Sequence, residues 1–198
     1  MRLLDSQTAA LPLILLLLAL AGPLFATLWP QGPLAASDLD VLEVKTESGG
    51  GVRATAHVLF PAKPEVIQAL LTDYLHWPEL FVEGRVRLAE FNVHEGVAMT
   101  DLRIEHLFLP GERRLVTESR ALPNGGLVTD LKAGDFKRYH RVWKLSPAGE
   151  GSQTSAEFEL IVEIESMVPD WVIAKAMRQE LEAHFRIVKQ KALQNSKR

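Results

Sequence analysis

The chain has 198 residues, 47% of them hydrophobic and 24% charged, and 22 Lys and Arg against 25 Asp and Glu leave a formal net charge of −3. That composition suits one globular domain plus an extra segment, and it lacks the clustered basic residues that nucleic-acid binding uses. Without cysteine a disulfide framework, a thiol nucleophile, a Cys-based zinc site and an iron–sulfur cluster are excluded, so stability rests on a packed core.

The chain opens with an address rather than a fold. No residue from Ser6 to Ser37 is charged, and Leu11–Ala21 reads LPLILLLLALA behind a short head carrying Arg2 and Asp5. A brief charged head before an apolar run resembles a secretory signal, cut either at Ala19-Leu20-Ala21 or near Ala35-Ala36. The apolar stretch 9–29 also approaches the ~20 residues that cross a bilayer, although Pro12 and Pro23 interrupt it. Residues 1–36 are therefore expected to be a signal peptide or an N-terminal membrane anchor. Residues 37–198 are then a single exported domain, periplasmic, secreted or held at the membrane through residues 9–29.

Leu39–Thr46 and Val52–Phe60 read as two β segments joined by Ser48-Gly49-Gly50-Gly51. Pro61 ends the second, and Pro64 suits the first turn of a helix through Val66, Ile67, Leu70 and Leu71. A loop, Asp73-Tyr74-Leu75-His76-Trp77-Pro78-Glu79-Leu80-Phe81, follows. From Arg85 to Glu165 alternating runs are punctuated by Gly96, Pro110-Gly111, Pro123-Asn124-Gly125-Gly126, Gly134-Asp135 and Pro147-Ala148-Gly149, the mark of an antiparallel meander. Its clearest strand, Ser155–Glu165, sets Ala156, Phe158, Leu160, Val162 and Ile164 on one face and Glu157, Glu159, Glu163 and Glu165 on the other.

After Pro169-Asp170 the period becomes helical. Trp171, Ala174, Met177, Leu181, Phe185, Val188 and Ala192 form one stripe, with Lys175, Arg178, Glu182, Arg186 and Lys189 off it. A helix over 168–193 is about 39 Å long, which strands of about 30–36 Å can cover.

This order of strands, helix, Asp73–Phe81 loop, meander and terminal amphipathic helix resembles the START-like, helix-grip superfamily that includes polyketide cyclases and coenzyme Q-binding proteins. Phe60-Pro61-Ala62-Lys63-Pro64-Glu65-Val66 is similar to the family's strand-to-helix passage, and Tyr139–Leu145 with Phe158–Leu160 to its last two strands. The likeness covers residues 38–193. It implies an α+β, START/Bet v 1-like fold, with a curved antiparallel sheet wrapped around a long C-terminal helix, and a hydrophobic small molecule or lipid as ligand.

The residues themselves point the same way. Ala54, Ala56, Ala98, Thr100 and either Thr117 with Ser119 or their neighbours are small or hydroxylated at inward positions, which predicts unfilled volume beneath the helix. An empty void of ~300 Å³ would cost on the order of 7 kcal/mol, so a cavity filled by ligand or water is expected. Candidate contacts are His106 and Phe108, which share parity with Leu102 and Ile104, and Arg141, which shares parity with Tyr139 and Trp143. His106 is read either as a hydrogen-bonding or acid–base group or as a core histidine with an internal partner. Arg141 either meets an anionic head group or lies at the rim beside an acidic neighbour. Trp77 and Phe81 border the cavity mouth or pack under the helix, and Met177 and Leu181 line the pocket from the helix.

The glutamate row is read as a solvated outer face with cross-strand basic partners, not as a metal site, and the six histidines lack ligand spacing. No metal, other cofactor or catalytic residue is expected. The leading function is a carrier, sensor or chaperone of an apolar ligand in the cell envelope. The alternatives are a polyketide cyclase/aromatase-like enzyme using the same cavity, with His106 or Arg141 directing proton transfer, and a scaffold that recruits another envelope protein.

Overall fold

The computed structural model describes residues 39–106 and 109–196. Residues 1–36, expected to be a signal peptide or membrane anchor, and their apolar stretch 9–29 lie outside the described residues. Among the described residues, no helix is long and apolar enough to cross a membrane.

Glycine and proline set the first elements where the sequence places them. Strand β1 (Leu39–Thr46) turns back into β2 (Val52–Phe60). Gly51 in that turn has φ +86°, and a Cβ there would lie 2.6 Å from the Val162 carbonyl oxygen, so only glycine fits. Alternation in β2 buries Val52, Ala54, Ala56, Val58 and Phe60. Pro64 starts helix α1 (Pro64–Thr72), which buries Ile67, Leu70 and Leu71. The segment expected to be a loop is instead a 3₁₀ helix, Tyr74–Leu80, with Tyr74, Trp77 and Leu80 buried. Its apolar side chains recur every three residues, which is the 3₁₀ period.

Strands β3 (Val86–His94), β4 (Val97–His106), β5 (Leu109–Ala121), β6 (Gly126–Gly134), β7 (Phe136–Ala148) and β8 (Gln153–Ile164) follow as the expected meander. They form one eight-stranded antiparallel sheet in the order β1-β2-β8-β7-β6-β5-β4-β3. Register shifts at Leu88/Glu90, Ile104/His106, Val116/Thr117 and Phe136/Arg138 bend the strands and raise their twist, giving a concave inner face. On the outer face the glutamate row meets cations: Arg53 bonds Glu159, Arg138 bonds Glu163 and Lys144 approaches Glu157 at 3.7 Å.

Helix α2 (Asp170–Asn195) is 26 residues long. Asp170 anchors its start by accepting the Gly51 N–H at 2.9 Å, where a carboxylate also suits the helix dipole. The helix approaches β1, β2 and α1 and stands away from the middle of the sheet. Close approach to β2 is possible because the facing residues, Ala54 and Ala56, are small and fully buried. The first turn departs from the expected stripe. Ile173 and Ala176 are buried there, whereas Trp171 is 67% exposed and Ala174 half-buried. Farther along, Leu181, His184, Phe185, Val188 and Ala192 are buried. Phe185 meets the rings of Trp143 and Phe158 edge-on at 5.5 and 5.1 Å, and Trp143 also touches Phe60. This aromatic cluster is the centre of the core. The whole is the α+β helix-grip arrangement that the sequence implies.

Candidate functional site

Where α2 stands off the sheet, the inner faces of β4, β5, β7 and β8 leave a cavity of about 190 Å³. Its apolar walls are Leu102 and Ile104 of β4, Leu115 of β5 and Phe136 and Tyr139 of β7. Leu160, Val162 and Ile164 of β8 continue the same sheet face beside β7, and Ile173, Ala176, Met177 and Leu181 of α2 complete the lining. One end is blind, closed by the buried Arg141, Leu160, Leu181 and His184. At the other end Glu105 is exposed and Arg113, Ile164 and Val168 are partly exposed, which makes it the mouth. A larger hollow of about 340 Å³ lies beside α1 and the end of α2. It is polar, and its charges are already paired, His76 with Asp73 and Lys191 with Glu79.

The blind end has unusual electrostatics. Arg141 is only 7% exposed. Its guanidinium carbon sits 4.7 Å from the centroid of the Trp77 ring, its Nη2 reaches Thr129 Oγ1 at a long 3.4 Å, and its buried Nε has no partner. Trp77 is held as a platform by donating its indole N–H to the Leu71 carbonyl at 2.9 Å. Burial, opposed by a hydrogen bond to the Leu80 carbonyl and reinforced by the Arg141 charge, pushes the His184 pKa down to about 4. His184 is therefore neutral at physiological pH, with Nδ1 committed as donor to Leu80. Towards the mouth, Arg113 also has a buried Nε without a partner, and Arg85 faces Glu180 at 3.7 Å.

The structure places Phe81, Tyr139, Arg141, Met177 and Leu181 on this wall. Trp143 and Trp77 do not line it, a correction to their reading as ligand contacts. Trp143 is fully buried in the aromatic cluster, and Trp77 packs beneath Arg141 at 3% exposure. His106 ends β4, paired through its backbone with Leu109; its side chain, like the whole of Phe108, lies outside the described residues. The small inward residues do not make the void either. Thr100 bonds Thr117 at 2.8 Å and Ser119 bonds Thr129 at 3.0 Å, both pairs buried, and Ala54, Ala56 and Ala98 sit in the packed core. His184 and Arg113 escaped the sequence reading. His184 does fall three and four residues from Leu181 and Val188, and Arg113 shares parity with Leu115 and Thr117. Among the described residues no cluster of His, Asp and Glu could hold a metal.

A family model described as polyketide cyclase / dehydrase and lipid transport matches residues 60–184, more than half of the chain. No curated protein matches by sequence. Among solved structures, a START superfamily protein from Mycobacterium smegmatis is 19% identical at TM-score 0.58, covering 72% of this chain and 97% of its own. The Zhui aromatase/cyclase from Streptomyces sp. R1128 is 9% identical at TM-score 0.55, covering 79% and 95%. The lipid transfer and protein localization domain of human StarD13 is 15% identical at TM-score 0.50, covering 76% and 88%. At these identities the likeness is one of fold.

Proposed function

We propose that this chain, which belongs to the polyketide cyclase / dehydrase and lipid transport family, binds a hydrophobic small molecule or lipid beneath α2 as its carrier, sensor or chaperone. The observation that carries this reading is the cavity itself, about 190 Å³ walled almost wholly by aliphatic and aromatic side chains. A dry void of that size would cost about 5 kcal/mol at ~24 cal/mol per Å³, a large share of a domain's stability. An apolar guest removes that cost and leaves water on entry. The charge-free run from Ser6 to Ser37 with its LPLILLLLALA core supports placing this activity in the cell envelope.

The test is native mass spectrometry and solvent extraction of the full chain purified from its own host. An apolar compound released in stoichiometric amount is the expected result. A protein that neither carries nor takes up any apolar compound would end the proposal.

A second reading, a cyclase-like enzyme, is favoured by the meeting of Arg141 and His184 at the blind end. A guanidinium can hold an enolate oxygen and a neutral imidazole can take a proton. A histidine with a pKa near 4 is a weak base, however, so binding without chemistry is the better-supported reading.

A further inference from the structure

We infer that the ligand is an amphipathic anion, a single-chain or compact carboxylate, seated head-inward on Arg141 with its apolar part directed to the mouth. This inference rests on the cavity being a binding site, as proposed above, and adds the class and orientation of the guest.

The argument starts from an uncompensated charge. Burying a cation away from water is costly unless a counter-charge and hydrogen bonds replace its hydration. Arg141 is more than nine-tenths buried, yet no carboxylate among the described residues pairs with it. The face of Trp77 supplies a cation–π contact at 4.7 Å, which attracts the cation without neutralising it. Thr129 offers one long bond, its hydroxyl being shared with Ser119. Nε is left bare. A guanidinium that lines an apolar cavity with donor capacity left unsatisfied matches a carboxylate.

The neighbours keep that charge unopposed. His184 is neutral at physiological pH. Glu180, the nearest acid along α2, faces Arg85. The mouth has both signs, with Arg85 and Arg113 beside Glu105 and Glu180, so a negative head gains less there. Through Thr129 and Ser119, which align with Arg141 across β6 and β5, Arg113 lies roughly 20 Å along the strand from the Arg141 level. The space between is apolar. A volume near 190 Å³ is below the ~300 Å³ of ordinary ligand pockets, which fits one chain or ring system and not a diacyl lipid.

The experiment is calorimetric titration of the full chain with decanoate and with decanol, which differ at the head alone. Decanoate should bind about tenfold or more tightly than decanol, the size of one charge-assisted pair. Arg141→Met should abolish that preference, so that decanoate binds no more tightly than decanol. Equal binding of both by the wild type, or a preference that survives Arg141→Met, would overturn the inference while leaving the apolar cavity reading intact. Binding of neither compound would overturn it too, and with uptake of no apolar compound in the mass-spectrometric test would remove the reading beneath it. Should Arg141→Met fail to fold, Arg113→Met at the mouth should keep the preference for decanoate, and its loss there would overturn the inference.

Discussion

The imidazole of His184 lies flat on Phe81, ring centroids 4.7 Å apart and planes 17° from parallel. That contact and the Leu80 carbonyl at 2.7 Å shut the ring away from water, and burial is the main reason its pKa falls to about 4 from the usual 6.5. A folded pKa below the unfolded one means the unfolded chain binds the extra proton. The contribution is therefore complete above about pH 6.5 and is lost progressively as pH falls towards 4. The gap corresponds to roughly 3 kcal/mol. Urea unfolding should show stability declining between pH 6.5 and 4.5, and His184→Phe should flatten that decline. Two other shifted groups do not mimic the effect. Asp101, where burial is outweighed by Arg114 and Arg103, is held below the usual carboxylate range and titrates lower. His76, raised by its bond to Asp73, has the opposite sign, its contribution being lost as pH rises. A decline of the same size in the wild type and in His184→Phe would refute the assignment.

Trp143→Ala should cost about 3–5 kcal/mol, the usual range for emptying a large aromatic site, because Trp143 has no exposed surface and rests on Phe60, Phe158 and Phe185. Trp143→Phe should cost less. The indole N–H is buried without an acceptor, and removing such a donor returns about 1–3 kcal/mol. Guanidinium denaturation measures both. A variant that keeps full stability but loses ligand affinity would return Trp143 to the cavity wall.

The Thr100–Thr117 bond spans β4 and β5 at a directly paired position. Thr100→Val alone strands the Thr117 hydroxyl in the core and should cost about 1–3 kcal/mol, whereas Thr100→Val with Thr117→Val removes both polar groups and should be nearly neutral. A double-mutant cycle by thermal unfolding reads the difference. Strict additivity of the two single changes would show that the hydroxyls are not coupled.

How far the sequence reveals this molecule depends on whether a feature is local. The limits of β1, β2 and α1 are written by Gly50, Gly51, Pro61 and Pro64, whose backbone demands act on their own residues, and the structure has them where the sequence places them. The start of the α2 stripe is not local. Trp171, Val172 and Ile173 are all apolar, and only the position of the sheet decides that Ile173 turns inward while Trp171 stays in solvent. The cavity is harder still. Small residues on one wall predict space only if the opposite wall is known. Here hydroxyl pairs and the core rings close the spaces beside Thr100, Ser119 and Ala54, and the void opens between larger side chains such as Leu115 and Met177. Parity alone puts Arg141 on the inner face. It does not supply the Trp77 platform, which comes from a segment more than sixty residues earlier in the chain.

Ala176→Phe separates true free volume from a packed core. Ala176 lines the cavity from α2 and is 7% exposed, so a ring there enters space that the protein leaves open. Filling it should raise stability by about 0.5–2 kcal/mol and weaken the binding of decanol about tenfold or more, since guest and ring compete for the same volume. Ala192 on the same helix is completely buried in the core cluster, so Ala192→Phe has no space to enter and should cost about 1–3 kcal/mol or more. Thermal unfolding of both variants beside a decanol titration gives the comparison. If Ala176→Phe destabilises the fold as much as Ala192→Phe, the interior beneath the first half of α2 is closed. The apolar guest then has no place to sit.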